Sequence, residues 1–424
     1  MTGFIKSSRR TVLKSAAALS AAAILPSAAN AQTSIGDILQ SPQRGNWDDQ
    51  FDSAGSSNRA AVDSRLPILS PSTVSYVEVA IDNYRRIVAN GGWPRVNATQ
   101  RLKVGVRDNA VRQLRQRLII SGDMARNSGD STTFDSFLDA GLKRFQARHG
   151  MVADGVMGNY TLAALNVDAQ TRLGQLETNL VRLRSMSGYL GDRFVMVNIP
   201  GTELEAVTNG RVERRHKTIV GRIDRETPVL SSKIHEVILN PYWTAPKSII
   251  RKDIIPLMRK DPTYLTRNKI RLFDGGGQEV APETVNWATD EAVALRFRQE
   301  PGKINAMSST KINFHNPHAV YMHDTPQQSL FGKFLRFESS GCVRIQDIRE
   351  LSAWLLSSEA GYTRGQIEQI IKSGESTPIQ LSTPVPVYFV YISAWSTGDS
   401  VVHFRDDIYN RDGVGELETA ATSL

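Results

Sequence analysis

The hydrophobic period of the chain changes near residue 190, and that change limits the architectures open to it. Upstream, apolar residues recur every three or four positions. Val77, Ile81, Tyr84 and Val88 form one such stripe, and Gly91-Gly92-Trp93-Pro94 stops it. Asp108 is placed to cap a second helix with Val111, Leu114 and Leu118 on its apolar face. A third carries Phe134, Leu138, Leu142, Phe145 and His149, a short fourth runs over 161–165, and Leu176, Leu180 and Leu183 mark a connecting helix. Downstream, the runs at 194–199, 204–207, 218–220, 236–239, 320–322 and 387–392 are short and rich in Val, Ile, Phe and Tyr, as strands are. The pattern predicts a multi-domain α and β chain, with a small three-helix module ahead of a mainly β domain.

At 424 residues, 40% apolar and 22% charged, the chain can bury two or three such cores. The expected parts are an export signal at 1–31, a flexible arm at 32–72, a helical segment at 73–100 and a helical module at 101–168. A connecting helix at 169–190, a catalytic domain at 191–412 and a tail at 413–424 complete it. The catalytic domain is interrupted at about 244–300 by a helix-like insertion. Residues 244–272 hold eight Lys or Arg against Asp253 and Asp261, which reads either as a solvated face or as a lid that attracts anionic substrate.

The formal charge of +8 invites a nucleic-acid partner, but Lys6, Arg9, Arg10 and Lys14 lie in the first 31 residues, and without them the charge is +4. No run combines dense Lys/Arg with the interleaved aromatics of a nucleic-acid groove. Ser8-Arg9-Arg10-Thr11-Val12-Leu13-Lys14, an Ala-rich stretch and Ala29-Asn30-Ala31 together resemble a twin-arginine export signal. The mature chain is expected in the periplasm or cell envelope, with membrane contact only through that signal.

Cys342 is the single cysteine, so no internal disulfide and no paired-cysteine metal or redox motif is possible. In an oxidising compartment an idle thiol is a liability, which points to a reagent. Ser339-Ser340-Gly341-Cys342-Val343-Arg344 precedes an apolar helical stripe at Ile348, Leu351 and Leu355, and that order predicts a thiol at a helix N-terminus with a lowered pKa. The backbone N–H groups around Gly341 and Cys342 are expected to form an oxyanion hole. Of the seven histidines, His323 ends a strand-like run and opens into a loop, which suits a general base. His315 and His318 read as exposed loop residues, and His149 as a helix-face residue. No metal-ligand cluster and no cofactor motif stand out.

Tyr321-Met322-His323-Asp324-Thr325-Pro326 followed by Ser339-Ser340-Gly341-Cys342-Val343-Arg344 resembles the active-site signature of L,D-transpeptidases with a YkuD-type catalytic domain. The likeness extends to Asn240-Pro241-Tyr242-Trp243, Arg298-Gln299 and His403-Phe404-Arg405. The stretch at about 107–167, with its Asp154-Gly155-Val156-Met157-Gly158 turn, is similar to the peptidoglycan-binding module of cell-wall enzymes, the order found in the larger branch of the family. Ser340 stands where the commoner spelling has histidine, and Ser308 where the branch has glycine.

The resemblance implies Cys342 as nucleophile, His323 as general base and acid, Gly341 as oxyanion-hole backbone, and Tyr321, Ser340 and Arg344 as substrate-binding residues. The implied substrates are peptidoglycan stem peptides and glycan. The thiolate would attack the third residue of a tetrapeptide stem, release D-alanine, and pass the acyl group to a stem amine, a lipoprotein lysine or a free D-amino acid. Two alternatives stay open: a carboxypeptidase or endopeptidase that uses the same residues with water, and a wall-binding protein with no chemistry. Arg344 either pairs with a stem carboxylate or ties its loop to the strands behind it.

Overall fold

Among the described residues the first helix starts where Ser70 and Pro71 say it should. The Ser70 hydroxyl accepts the Thr73 N–H at 3.1 Å, and Pro71 occupies the first helical position of α1 (Pro71–Ala89). The structure, a computed structural model, describes residues 64–188, 190–398 and 401–414. The export signal and most of the expected arm and tail lie outside those residues. The arm does not reach residue 72: Ile68 and Leu69 are already in the core, 3% and 2% exposed.

Helices α2 (Asn109–Ile120), α3 (Ser136–Arg148) and α4 (Asn159–Asn166) enclose a core of Leu102, Val111, Leu114, Leu118, Phe134, Leu138, Leu142 and Phe145. Asp108 caps α2 through the Ala110 N–H at 2.8 Å. Gly155 takes φ +73 in the turn before α4, and a Cβ there would sit 2.0 Å from the Asp139 carboxylate, so the turn requires glycine. Helix α5 (Ala169–Met186) does more than connect. Its Leu173, Leu176 and Leu183 pack with Val77, Ile81 and Tyr84 of α1 against Phe194, Met196, Val390 and Ile392, so both helices form an outer wall of the β domain.

The β domain is built from β1 (Arg193–Asn198), β2 (Glu203–Thr208), β3 (Arg211–Gly221), β4 (Leu230–Leu239), β9 (Thr310–Phe314), β10 (Met322–His323), β11 (Phe337–Ser339), β12 (Val343–Ile345) and β13 (Thr377–Val390). Strand order is β11-β3-β12-β10-β9-β4-β13-β1-β2, and β2 also pairs with β3, which closes eight of the strands into a ring. The inward positions Val195, Val197, Ile234, Val237, Ile312, Met322, Val343, Val387 and Phe389 are almost wholly buried. Each contributes about 1.5–3 kcal/mol by leaving water. Helix α6 (Ile348–Leu355) adds Ile348, Leu351 and Leu355 to this core.

The insertion differs from the helical segment expected of it. Helical turns over 247–260 and 264–267 pack on a separate sheet of β5 (Trp243–Thr244), β8 (Arg296–Gln299), β6 (Ile270–Phe273) and β7 (Glu279–Val280), in that order, around Ile250, Ile254, Leu265, Leu272 and Phe297. Its strands are two to four residues long, too short to announce themselves by alternation. Much of its basic run is paired within the insertion: Arg251 with Asp290 at 2.8 Å, Arg267 with Asp261 at 2.6 Å and Arg271 with Glu279 at 2.5 Å. No helix among the described residues is long and apolar enough to cross a membrane.

Candidate active site

Strand register brings the candidate residues together. In the parallel pairing of β10 with β12, Met322 lies opposite Val343 and His323 opposite Arg344. In the antiparallel pairing of β10 with β9, Met322 lies opposite Ile312 and His323 opposite Lys311. Ile312, Met322 and Val343 point into the ring, so Lys311, His323 and Arg344 share the other face. Tyr321 and Cys342, two residues before His323 and Arg344, share it too, and the Val343 N–H donates to the Tyr321 carbonyl at 3.1 Å.

Nδ1 of His323 is 2.5 Å from the Asp324 carbonyl oxygen, which can only accept. Nδ1 therefore carries the proton, and Nε2 keeps a lone pair. The Asp324 side chain does not touch the imidazole. It accepts from Ser309 Oγ at 2.5 Å, the Thr325 N–H at 2.8 Å and Gln328 Nε2 at 3.0 Å, and so anchors the peptide that orients the ring. Burial, then the charges of Arg344 and Lys311, pull the His323 pKa down to about 3 against the Asp324 carbonyl, which raises it.

The thiol is not at a helix N-terminus. Cys342 leads into β12, and α6 begins only at Ile348, after Asp347 has turned through φ +52. Burial raises the Cys342 pKa above its ordinary value, although hydrogen bonds from the backbone and hydroxyl of Tyr321 and the charges of Lys311 and Arg344 lower it. The resting pair is a neutral thiol and a neutral imidazole. Among the described residues no hydrogen bond joins them, and such contacts commonly tighten only when substrate is bound.

Gly341 takes φ +111, which an L side chain rarely adopts, and its added Cβ would meet the Glu226 carbonyl at 3.4 Å. Its N–H donates to Ser339 Oγ at 3.1 Å, so it is not free to serve the expected oxyanion hole. Ser339 Oγ in turn donates to the Cys342 carbonyl at 2.5 Å, and Thr227 Oγ1 donates to the Gly341 carbonyl at 2.9 Å. The nucleophile loop is thus held from both sides. Ser340 is exposed, and its hydroxyl accepts from Arg225 Nη1 at 2.9 Å. Arg225 also grips Asp253 of the insertion at 2.5 and 2.9 Å, which ties the insertion to the loop. Arg344 does reach back to its surroundings, donating to Gln327 Oε1 at 3.0 Å, but its buried Nε has no partner.

Tyr321 packs on the insertion core, with the His323 ring 5.4 Å away and Lys311 Nζ 4.4 Å from its centroid. His315 and His318 are exposed. His149 is buried between Phe145 and Phe404, with ring centroids at 3.9 and 5.6 Å, and Nδ1 on the Phe145 carbonyl. Ser308 takes φ +48, in the left-handed region that favours glycine; a serine there costs roughly 1–2 kcal/mol. Among the described residues no group of three or more His, Cys, Asp or Glu is placed to hold a metal ion.

The strand ring thus sets a cysteine, an imidazole and two cations on one outer face. Residues 192–387 match the family described as L,D-transpeptidase catalytic domain, the YkuD family, and residues 107–165 match the one described as "Putative peptidoglycan binding domain". Residues 192–387 thus carry an L,D-transpeptidase catalytic domain of the YkuD type, behind a peptidoglycan-binding-type module. A "Putative L,D-transpeptidase" of Haemophilus influenzae is 34% identical over 239 residues, 56% of this chain and 48% of the relative, so the chain spans about half the length of that curated relative. Among solved structures, an L,D-transpeptidase from Mycobacterium smegmatis is 12% identical, covering 47% of this chain and 58% of its own, at a TM-score of 0.24. One from Stackebrandtia nassauensis is 13% identical, covering 70% and 96%, at 0.25.

Proposed function

We propose that the chain is a peptidoglycan L,D-transpeptidase that works through Cys342. The observation that carries this reading is the shared face of β9, β10 and β12, on which His323, with its Nδ1–H tautomer fixed, and the Cys342 thiol both project. Nε2 takes the thiol proton as sulfur attacks the carbonyl carbon of the third stem residue, the L-centre of diaminopimelate. The imidazolium that forms is a strong acid in this buried, cationic setting, and it returns the proton to the departing D-alanine amine. A thioester remains. The amine of a second stem attacks it, its proton passes through Nε2 back to sulfur, and a 3-3 cross-link results with the thiol regenerated. A lipoprotein lysine or a free D-amino acid is an equivalent acceptor chemically.

The helical module supplies contact with peptidoglycan, and the twin-arginine-like segment places the enzyme in the envelope where that polymer is. The test is incubation with purified disaccharide-tetrapeptide, followed by mass spectrometry for thioester, free D-alanine and dimer. Wild type should give all three and Cys342→Ala none. Identical products from both proteins would overturn the mechanism, and D-alanine without dimer would make water the acceptor.

A further inference from the structure

We infer that Lys311 and Arg344 form a carboxylate clamp that selects acyl donors ending in a free carboxylate, one residue beyond the bond that breaks. The inference rests on the transpeptidase reading of the site and adds the basis of its donor choice. Lys311 sits on β9 in register with His323, and Arg344 sits on β12 in register with the same residue, so the imidazole lies between two cations. Both project on the face that carries Cys342.

Neither cation has a carboxylate at ion-pair distance among the described residues. The acid nearest in effect to Lys311, Glu236, already accepts from Asn313 Nδ2 and Gln380 Nε2, each at 2.6 Å. The one that acts on Arg344, Glu338, is paired with Lys333 at 2.6 Å. Lys311 is half-buried with its ammonium over the Tyr321 ring, and Arg344 has a buried Nε without a partner. Two partly desolvated cations without countercharge are costly unless an anion completes them. In the proposed reaction the leaving D-alanine brings that anion: its carboxylate is separated from the scissile nitrogen by one carbon, which keeps it close to the thiol. Docked there, it also relieves the two charges that hold the proton affinity of His323 down, so binding the correct donor readies the base.

The test compares a disaccharide-tetrapeptide ending in D-alanine with the same molecule ending in D-alaninamide. Binding is measured by calorimetry to Cys342→Ala protein, which keeps both cations. The acid should bind roughly 10- to 100-fold more tightly than the amide, the range of a charge-assisted contact. Adding Lys311→Met should bring the acid to the level of the amide and leave the amide within about 2-fold, while Lys311→Arg keeps the preference. Equal binding of acid and amide to Cys342→Ala would overturn the clamp without any need for a Lys311 variant. So would an equal loss for both donors on adding Lys311→Met, or, in Lys311→Met protein that keeps the thiol, slower alkylation of Cys342 by iodoacetamide with the acid preference intact. Failure of the transpeptidase reading shows separately, as wild-type protein that releases no D-alanine from either donor.

Discussion

His323 Nδ1 stands 2.5 Å from the carbonyl oxygen of Asp324, the next residue, and that contact sets the tautomer of the ring. The Asp324 carboxylate holds the peptide through Ser309, Thr325 and Gln328 rather than touching the imidazole. Asp324→Ala should therefore loosen the base without removing it. We expect kcat for D-alanine release to fall about 10- to 100-fold, as a small misplacement of a catalytic group does, with KM little changed. His323→Ala should be far more severe in the same assay.

The nucleophile loop needs glycine at 341. With φ +111 and the Glu226 carbonyl 3.4 Å from an added Cβ, Gly341→Ala carries roughly 1–3 kcal/mol of strain exactly where Cys342 is aimed. The expected outcome is a Tm lowered by a few degrees and near-complete loss of thioester formation. Ser340→Ala is the contrasting variant: its hydroxyl only accepts from Arg225, which keeps Asp253, so thioester formation should drop less than about 10-fold.

Much of this site was legible in the chain because its determinants are local. Helix caps such as Asp108, the turn glycine Gly155 and the stripes around Leu114 and Leu142 are read within a few residues, and Cys342 and His323 stand out by residue type. What was hidden depends on pairing between distant segments. Lys311 is an ordinary strand lysine until β9 is laid beside β10, and Arg225 until it meets Asp253 and Ser340. The helix-terminus placement of the thiol failed because β12 and the left-handed turn at Asp347 intervene before the apolar stripe becomes a helix. The connecting helix hid its second role because its partners, Phe194 and Val390, belong to strands far along the chain.

Acid should destabilise the fold partly through His403. This ring is buried against Trp395 at 5.0 Å, its Nε2 has no partner, and burial, followed by the charges of Arg405, Arg148 and Arg215, holds its pKa well below 6.5. The folded state keeps it neutral while the unfolded chain takes up a proton below that value. Its contribution is therefore lost progressively as pH falls below 6.5. His403→Phe, which keeps the stack, should lose less Tm than wild type between pH 7 and pH 5; equal losses would remove His403 from the account.

A buried ion pair inside the helical module fixes the arginine that joins it to the β domain. Arg148 on α3 donates to both oxygens of Asp123 at 2.7 Å, and its Nη1 reaches the Val402 carbonyl on the short strand Val402–Phe404 at 3.0 Å. Arg405 returns the contact, donating to the Arg148 carbonyl at 2.9 Å. With both side chains of the pair under 7% exposed, Asp123→Ala strands a guanidinium, and we expect a loss of about 3–5 kcal/mol in urea unfolding. Replacing both with apolar residues should recover most of it.

Cys342 should be acylated by a carbapenem, and the reaction separates a working thiol from an inert one. The resting thiol is half-buried and its pKa is raised by desolvation, so general alkylating agents should react slowly with it near neutral pH. A carbapenem presents a strained carbonyl carbon to the sulfur and a carboxylate to Lys311 and Arg344. The ring opens as the C–N bond breaks, the nitrogen takes the proton relayed by His323 Nε2, and a thioester stays on the protein. Intact-mass spectrometry should show one adduct of the mass of the whole drug on wild type and none on Cys342→Ala. His323→Ala should slow its appearance by about 100-fold or more, the scale of a lost general base. A wild-type protein that stays unmodified would argue for a wall-binding role without chemistry, since the thiol is the one group on which the acyl-transfer reading depends.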